Sequence, residues 1–353
     1  MLKKKSCGSI RLWWQKNDFM PNFNWRGKKI ICIVLALILI IGLYFYVEKQ
    51  KDKSGFRVTF FNIGQGDAAL INFGDGQKML VDCGPNRQIL SKLGKYLPFY
   101  RRDLDYLLVT HPDLDHYGGC VDVLKRYKVK NIIFNGRGKA HDKYWQEWNK
   151  TMRQENAELE IINGYSQKNI AGAVLTFLSP DAGLNLALKN DDNNNYSIVF
   201  KLENKDRSYL FTGDMEEPLE NALVHKYCST TSTLFKTPTP PTPSRAEGDN
   251  ISLLPRGSER ELPRAVFSCP TIQANVLKVG HHGSDSSSGE EFLKLVAPTW
   301  AVISSGLNNK YGHPSFRVLK KLERVGAKIL RTDEKGDIIL PVYPDLASGI
   351  DNN

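Results

Sequence analysis

Residues 110–119 read Thr-His-Pro-Asp-Leu-Asp-His-Tyr-Gly-Gly, and the interpretation of the whole chain starts from this stretch. Two histidines and two aspartates fall within six residues, and all four side chains can bind a divalent metal. The preceding residues 104–109 are short, mostly apolar and rich in strand formers, which predicts a buried strand. Gly118 and Gly119 then interrupt the chain before a helical pattern over about residues 121–127. The sequence therefore predicts a ligand-bearing loop at the end of a strand.

The candidate ligands of this loop are His111, Asp113, Asp115 and His116. Alternate residues of an extended loop point the same way, so the first three can share one side while His116 approaches from the other. The alternative is a solvated cluster of surface charges. That alternative does not explain two histidines flanking two aspartates at the end of a strand, so we predict a metal site.

Two later motifs also place metal-binding side chains directly after an apolar strand. The first ends in Phe-Thr-Gly-Asp, where the carboxylate of Asp214 can bridge two metals; a plain turn is the alternative. The second is Val-Leu-Lys-Val-Gly-His-His-Gly-Ser at residues 276–284. Its His281 and His282 can supply the last nitrogen ligand, with a solvated turn as the weaker alternative. Aspartate and histidine together suit zinc, and the oxygen-rich balance leaves manganese as a second candidate.

The charge of the chain is unevenly distributed. The formal net charge is +10, from 48 Lys+Arg and 38 Asp+Glu. Residues 1–53 hold 11 of these basic residues and 3 of the acidic ones, a net of +8, which leaves 37 against 35, a net of +2, for the other 300. The main domain therefore lacks a strong electrostatic footprint for nucleic acid. A small basic cluster at residues 125–130 is interpreted as a solvated face.

An uncharged run of 18 residues, 30–47, approaches the roughly 20 that a helix needs to cross a bilayer. The run is longer than the apolar region of a signal peptide, and Glu48, Lys49 and Gln50 follow it, which favours an uncleaved anchor over a cleaved signal. Eight basic residues precede the run and three follow it, so the positive-inside rule places the N-terminus in the cytoplasm and the main domain outside. The predicted divisions are a cytoplasmic tail (1–29), a transmembrane anchor (30–47), a linker (48–54) and a main domain (55–345).

The main domain mixes predicted strands and helices, with the candidate ligands in loops at strand ends. Strands are predicted at about residues 56–62, 68–72, 78–82, 104–109, 129–134, 173–178, 196–202, 208–211, 274–279, 300–304 and 328–331, and helices at about residues 87–97, 142–156, 288–296 and 315–325. This order fits sheets faced by helices.

A Ser/Thr/Pro-rich segment at residues 226–270 does not fit this order and is predicted to be an extended or disordered insertion. Cys228 and Cys269 stand at its ends, which predicts a disulfide at the base of the insertion; two free thiols are the alternative. Cys83 and Cys120 each lie beside a motif, and the sequence favours leaving them unpaired.

Together these motifs resemble the metallo-β-lactamase superfamily. The pattern His-x-Asp-x-Asp-His, then Thr-Gly-Asp, then His-His-Gly-Ser is similar to that superfamily and, more narrowly, to the extracytoplasmic hydrolase domain of ComEC competence proteins. Residues 61–68, 81–84, 194–199 and 308–314 resemble further signatures of that group. The match runs from about residue 57 to 340, and the insertion is unmatched. The resemblance implies an α/β fold, a four-layer αββα sandwich with a two-metal site on one edge, preceded here by one transmembrane helix.

The resemblance also implies a role for each matching residue. The implied metal ligands are His111 and Asp113 for one ion, Asp115, His116 and His282 for the other, and Asp214 as the bridge. The other implied roles are catalytic for Asp115, His281 and His313, substrate-binding for Ser284 and Asn308, and supporting for Asp67 and Asp82. The chain departs from many members in two places: Asp113 stands where they have a histidine, and Asn194 or Asn195 lies where they have a further histidine ligand.

The resemblance implies hydrolysis by a metal-activated hydroxide. The favoured function is a membrane-anchored nuclease or other phosphodiesterase outside the cell, acting in DNA uptake or degradation. One span is too few for a DNA channel, so uptake would need other DNA-uptake machinery as a partner. The alternative is an esterase of small or cell-surface phosphodiesters, such as phosphocholine esters. A non-catalytic metal-binding module is disfavoured by the complete ligand set, and β-lactam hydrolysis by the narrower motifs.

Overall fold

The N-terminal unit ends at Lys51, and the main unit begins at Asp52, the last residue of helix α1, Trp25–Asp52. The computed structural model describes residues 25–52, 55–185, 192–228 and 269–341. Within α1, Lys29–Val47 is long and apolar enough to cross a membrane, judged by length and composition, and its side chains are exposed. Residues 48–52, which belong to the predicted linker 48–54, continue the helix. Their Glu, Lys and Gln side chains favour helix, and no Gly or Pro interrupts them.

The main unit contains two seven-stranded sheets. The strands of the first sheet are β1 Arg57–Phe60, β2 Ala69–Asn72, β3 Lys78–Val81, β4 Asp103–Val109, β5 Lys128–Phe134, β6 Glu158–Ile161 and β14 Ile338–Pro341. Those of the second are β7 Ser166–Ile170, β8 Ala173–Ser179, β9 Val199–Asn204, β10 Arg207–Phe211, β11 Val276–Lys278, β12 Trp300–Ile303 and β13 Lys328–Arg331.

Each sheet is part parallel and part antiparallel. The first has the order β14-β1-β2-β3-β4-β5-β6, and β3 to β6 run parallel. The second has the order β13-β12-β11-β10-β9-β8-β7, and β10 to β13 run parallel. Parallel neighbours share one direction, so the carboxyl ends of β3 and β4 meet at one edge, as do those of β10, β11 and β12.

Helices cover the outer face of both sheets. The helices of the main unit are α2 Gln88–Tyr96, α3 Leu114–Tyr117, α4 Cys120–Arg126, α5 Lys143–Gln154, α6 Ala182–Asn185, α7 Glu217–Cys228, α8 Glu290–Val296, α9 Phe316–Arg324 and α10 Thr332–Lys335. Short 3₁₀ turns lie at Asn193–Tyr196 and Gly280–Gly283. The predicted strand start at residue 196 was wrong, because the first of these turns precedes β9.

Three buried apolar clusters separate the four layers. The cluster between the sheets joins residues of both, and the Phe60 and Phe211 rings stack across it at 5.6 Å. A second cluster packs α2, α4 and α5 on the first sheet through side chains such as Trp148. A third packs α7, α8 and α9 on the second sheet through side chains such as Phe292. The predicted four-layer αββα sandwich is confirmed.

Two disulfides close loops of the main unit. Cys228 at the end of α7 is bonded to Cys269, as predicted, with the two Cα atoms 5.2 Å apart. Residues 226–228 belong to α7 rather than to the insertion, and residues 229–268 lie outside the described residues. The expectation that Cys83 and Cys120 stay unpaired was wrong, because these buried residues are bonded to each other. Cys83 follows β3 and Cys120 begins α4, and the adjacent ends of β3 and β4 bring them together.

We expect the Cys83→Ala/Cys120→Ala double variant to lose about 4 kcal/mol of unfolding free energy, because the bridge closes a loop with a sequence separation of 37 residues. The measurement is guanidinium unfolding of the full chain in detergent without reductant. Cys32, a free cysteine on α1, supplies the control variant Cys32→Ala, which should unfold with the wild-type midpoint. Equal midpoints for all three proteins would contradict the prediction.

Candidate metal centre

The candidate ligands all lie where strands of the two sheets reach their carboxyl ends. His111, Asp115 and His116 follow β4 of the first sheet. Asp214 follows β10 and His282 follows β11, both in the second sheet. Ligand sites of α/β proteins form at this edge, because successive loops there project into a shared crevice.

Four of the predicted ligands form one compact group. The ligand atoms of Asp115, His116, Asp214 and His282 all lie within 4.8 Å of one another. His282 Nε2 is 3.2 Å from Asp115 Oδ2 and 3.3 Å from Asp214 Oδ2. His116 Nε2 is 3.2 Å from Asp214 Oδ1. Two imidazole nitrogens and two carboxylates therefore converge on one point.

Hydrogen bonds at Nδ1 fix the orientation of His116 and His282. His116 Nδ1 donates to Asp82 Oδ2 at 2.9 Å, and His282 Nδ1 donates to the Ser304 carbonyl oxygen at 2.9 Å. Both rings therefore turn Nε2 toward the group. A metal-binding histidine is usually held in this way by a partner on its other nitrogen.

His111 faces the same group. Its Nδ1 lies 3.0 Å from Thr110 Oγ1, whose own hydroxyl donates to Asp82 Oδ2 at 2.8 Å. Its Nε2 lies 4.0 Å from Asp214 Oδ2. Burial and the neighbouring His116 lower the pKa of His111, so its imidazole is neutral and able to bind a cation.

Several ligand atoms of this group are buried without a hydrogen-bond partner among the described residues. These atoms include Nε2 of His111, Nε2 of His116 and Oδ1 of Asp214. A buried polar atom without a partner is costly, and it requires an explanation such as a bound ion. Imidazole nitrogens beside carboxylate oxygens suit zinc or manganese. The residues present therefore fit a divalent cation.

The carboxylates and histidines of the group stabilise each other's charged form. Burial lowers the pKa of His116, but Asp214 and Asp82 outweigh burial and hold that pKa well above its usual value. Burial raises the pKa of Asp214, but His116 and His282 outweigh it and hold that pKa well below its usual value. Asp214 is therefore ionised at neutral pH, and its negative charge is available to a cation.

Asp113 is placed differently from the other predicted ligands. Its Oδ1 lies 2.8 Å from Lys139 Nζ, and its side chain is partly exposed. A cation held by His111 and Asp113 would have to compete with this lysine. Lys139 was missed because it lies in the loop after β5, far from the motif in sequence.

Lys278 is a second residue that the sequence did not single out. It is buried in β11, in ion-pair contact with Asp67, and its Nζ donates to the Gly213 carbonyl oxygen at 3.2 Å. Its Nζ is also 3.9 Å from Asp214 Oδ1. Asp67 in turn lies 3.3 Å from His282 Nδ1. The sequence signal that could have identified Lys278 is a single lysine inside an otherwise apolar strand.

His281 is held beside the group by Glu216, which the sequence reading also missed. His281 Nδ1 lies 3.0 Å from Glu216 Oε1, and Ser286 Oγ donates to that same oxygen at 2.9 Å. Burial lowers the pKa of His281, but its hydrogen bond to Glu216 and the nearby Asp214 outweigh burial and raise that pKa overall. The position of Glu216, two residues after Asp214, was the only sequence signal.

The backbone of both paired histidines is left-handed, with φ of 46° at His281 and 53° at His282. This conformation is strained for residues with a side chain, and such strain concentrates at functional sites. It turns the two consecutive rings in different directions, so that their planes are 63° apart. His282 of this motif thus faces the metal-binding group, while His281 contacts Glu216.

The two asparagines at the departure from the superfamily pattern also contact Glu216. Asn194 Nδ2 donates to Glu216 Oε1 at 3.2 Å, and the Glu216 backbone N–H donates to Asn195 Oδ1 at 3.2 Å. The asparagines therefore position Glu216, which in turn positions His281.

The remaining predicted residues lie on the rim of the site. Ser284 Oγ is 3.0 Å from Ser286 Oγ, and Asn308 is exposed. His313 lies with its ring centre 5.6 Å from that of His281. Asn309 fixes the loop that carries His313, since its Oδ1 accepts from the His313 backbone N–H at 3.0 Å.

Sequence similarity identifies the class of protein. A family model described as the metallo-beta-lactamase superfamily matches residues 62–306. The chain belongs to this superfamily, and it is a metal-dependent hydrolase, as the sequence predicted.

Particular relatives come from two bacteria. The chain is 31% identical over 237 residues to ComE operon protein 3 of Bacillus subtilis, covering 67% of this chain and 24% of that protein. It is 27% identical over 306 residues to Competence protein ComA of Neisseria gonorrhoeae, covering 85% of this chain and 34% of that protein. The chain thus spans about a quarter to a third of the length of these relatives. Among solved structures, the metallo-beta-lactamase fold protein YhfI of Bacillus subtilis aligns with a TM-score of 0.45 at 12% identity, covering 81% of this chain and 99% of that one.

We expect Asp82→Asn to weaken metal binding about 10- to 100-fold, because the hydrogen bond from His116 Nδ1 to a carboxylate is lost. Competition between the protein and a chromophoric chelator for Zn²⁺ measures the affinity. Asp206→Asn, at an exposed aspartate in the turn between β9 and β10, is the matched control. A folded Asp82→Asn variant with wild-type affinity would refute the expectation.

Glu220 anchors the loop that follows His282, and it predicts a pH dependence of stability. Its carboxylate accepts from the backbone N–H groups of Ser288 at 2.6 Å and Gly289 at 2.7 Å, and burial raises its pKa to about 7. Between its ordinary pKa of 4.5 and about 7, only the folded state keeps the proton. The unfolding free energy should therefore fall across this window as pH rises, by up to about 3 kcal/mol, and level off above it.

Urea unfolding of the wild type and of Glu220→Gln at several pH values measures this effect. The difference between the two unfolding free energies isolates Glu220 from other titrating groups. This difference should change between pH 4.5 and 7 and stay constant above that window. A difference that is independent of pH would show that the Glu220 proton does not contribute.

Proposed function

We propose that this chain is a membrane-anchored phosphodiesterase that cuts DNA strands outside the cytoplasm with the help of two divalent metal ions, zinc in first place and manganese as the alternative. The observation that carries the proposal is the buried convergence of His116, His282, Asp115 and Asp214 at the carboxyl edge of the two sheets. We propose His111 and Asp113 as ligands of a second ion bridged by Asp214. The pairing of Asp113 with Lys139 makes that second site the weaker one.

The residues of the chain divide the work. Divalent ions bound at the group would activate water and offset the charge that develops on the phosphoryl oxygens. Asp115 would help to hold a metal ion, and its carboxylate would orient the attacking water. His281, fixed through Nδ1 by Glu216, presents Nε2 to a substrate oxygen or to the leaving group. Asp67 and Asp82 hold the ligand histidines, and Ser284, Asn308 and His313 line the approach to the centre.

The relatives support a nucleic-acid substrate. One of them is named Competence protein ComA, and a protein of Haemophilus influenzae that is 25% identical over 311 residues is named Recombination protein 2. We therefore favour DNA strands as the substrate and DNA-uptake machinery as the partner. The net charge of +2 outside residues 1–53 favours the second candidate, an esterase of small or cell-surface phosphodiesters.

Three features support a location at the outer face of a membrane. The section Lys29–Val47 of α1 has the length and composition of a span. The excess of basic residues before it supports a cytoplasmic N-terminus. The two disulfides of the main unit support an oxidising compartment for that unit.

The test is an assay of the full chain in detergent with Zn²⁺ or Mn²⁺, on a single-stranded DNA oligonucleotide and on bis-para-nitrophenyl phosphate. We expect both to be cut only when metal is present. Asp214→Ala should lower both rates more than about 100-fold, because it removes the carboxylate shared by the two proposed ions. Asp206→Ala should leave both rates unchanged.

The pattern of activity separates the candidates. Turnover of the small diester without DNA cleavage would move the assignment to the esterase. Activity on neither substrate, with metal bound in stoichiometric amount, would refute phosphodiester hydrolysis.

A further inference from the structure

Large apolar side chains are exposed on the segment 306–316, which we call the rim loop. Leu307 is 72% exposed, Tyr311 58% and Phe316 72%. A single exposed apolar residue is ordinary on a protein surface. Here, however, two aromatic rings and a leucine are exposed within ten residues of the segment that carries His313, which makes this segment a candidate binding surface.

A chain of ring contacts joins this surface to the centre. The rings of Tyr311 and His313 stack with centroids 5.7 Å apart and planes inclined at 23°. His313 meets His281 edge-on at 5.6 Å. His281 in turn adjoins His282, with ring centroids 6.2 Å apart. A molecule held at the metal centre would therefore continue onto Tyr311.

The rim loop is held in place by its own hydrogen bonds. The Asn309 side-chain amide donates to the carbonyl oxygens of Gly306, at 2.9 Å, and His313, at 2.5 Å. The Ser315 backbone N–H donates to the Gly283 carbonyl oxygen at 2.9 Å, next to His282. A surface fixed in this way loses little conformational freedom when a ligand binds.

Basic side chains are frequent in the rim loop and in helix α9, which follows it. Residues 306–324 hold five basic side chains and one acidic one, a net of +4, whereas all 300 residues after residue 53 carry a net of only +2. Lys310 Nζ lies 5.0 Å from the centre of the Tyr311 ring, and Lys320 Nζ lies 5.4 Å from that of Phe316. Four of these five basic side chains pair with carboxylates, namely Arg317 with Asp285, Lys320 with Glu323, Lys321 with Glu217 and Arg324 with Glu290. No carboxylate pairs with Lys310 among the described residues. Lys310 is therefore available to a phosphate.

We propose that the rim loop binds the unpaired bases of a single-stranded polynucleotide, which stack on Tyr311 and Phe316 while Lys310 meets the phosphate backbone. The proposal rests on the phosphodiesterase function proposed above and narrows its substrate to single strands. In a duplex the base faces are covered by their neighbours, whereas a single strand exposes them to aromatic rings. When one phosphodiester of the strand lies at the metal centre, the neighbouring nucleotides would lie on the rim loop.

The test compares two ligands with the same number of phosphates. One is a fluorescent 12-nucleotide oligothymidylate, and the other is a 12-unit oligonucleotide of abasic sites. Both are titrated with the full chain in detergent, with EDTA present so that no strand is cut. The wild type should bind the base-bearing strand at least about tenfold more tightly, because stacking one base on one ring changes affinity about 5- to 150-fold.

The variants assign this preference to the rings. Tyr311→Ala and Phe316→Ala should each reduce it about 5-fold or more, and Tyr311→Phe should restore it. Lys310→Ala should weaken the binding of both ligands equally, since Lys310 contacts the phosphate backbone that they share. Phe99→Ala is the control, because Phe99 is 56% exposed and precedes β4, at the end of that strand opposite the metal loop.

Each outcome decides a separate question. Equal affinity of the wild type for the two ligands, or an unchanged preference in both alanine variants, would overturn the stacking surface. Hydrolysis of bis-para-nitrophenyl phosphate by the wild-type chain is measured in parallel. This small substrate has no bases to stack on the rim loop, so its hydrolysis tests the phosphodiesterase function alone. Stacking without hydrolysis would therefore refute the proposed function, and hydrolysis without stacking would refute only this inference.

Discussion

A buried carboxylate, that of Asp82, holds the first ligand loop against the neighbouring strand. It accepts hydrogen bonds from the Thr110 backbone N–H, the Thr110 hydroxyl and His116 Nδ1, at 2.8 Å, 2.8 Å and 2.9 Å. Asp82 itself has a left-handed backbone with φ of 54°, and the next residue, Cys83, donates its N–H to the His116 carbonyl oxygen at 2.7 Å. The turn after β3 thus fixes the loop after β4, and the orientation of His116 follows from it.

Charge balance is the second constraint on the site. Aspartates 67, 82 and 214 are all buried, and ionised carboxylates are tolerated there only when cations compensate them. Lys278 supplies part of the compensation through its contact with Asp67. The rest falls on His116 and His282, whose pKa values these carboxylates hold well above the usual value. A divalent ion would replace those protons, so the same carboxylates that strain the metal-free site favour the loaded one.

The layered fold and the ligand loops could be predicted because apolar strands run directly into the motifs, as residues 104–109 run into His111. Elements without such contrast were missed: β6 is mostly exposed and β7 alternates only weakly, so neither shows an apolar run. The Cys83–Cys120 pair depends on which strands are neighbours, and spacing along the chain does not contain that information. Glu216 and Lys278 were missed because their roles come from contacts with residues far away in sequence.

The group at the metal centre draws on both sheets, with Asp115 and His116 from one and Asp214 and His282 from the other. An ion bound there would join the two halves of the sandwich and would bind only the folded chain. Free metal at 100 times its dissociation constant would then add about 2.7 kcal/mol to the unfolding free energy. The lifetime of this protein would therefore follow the metal supply of its compartment, and a chelator would promote unfolding as well as stop hydrolysis.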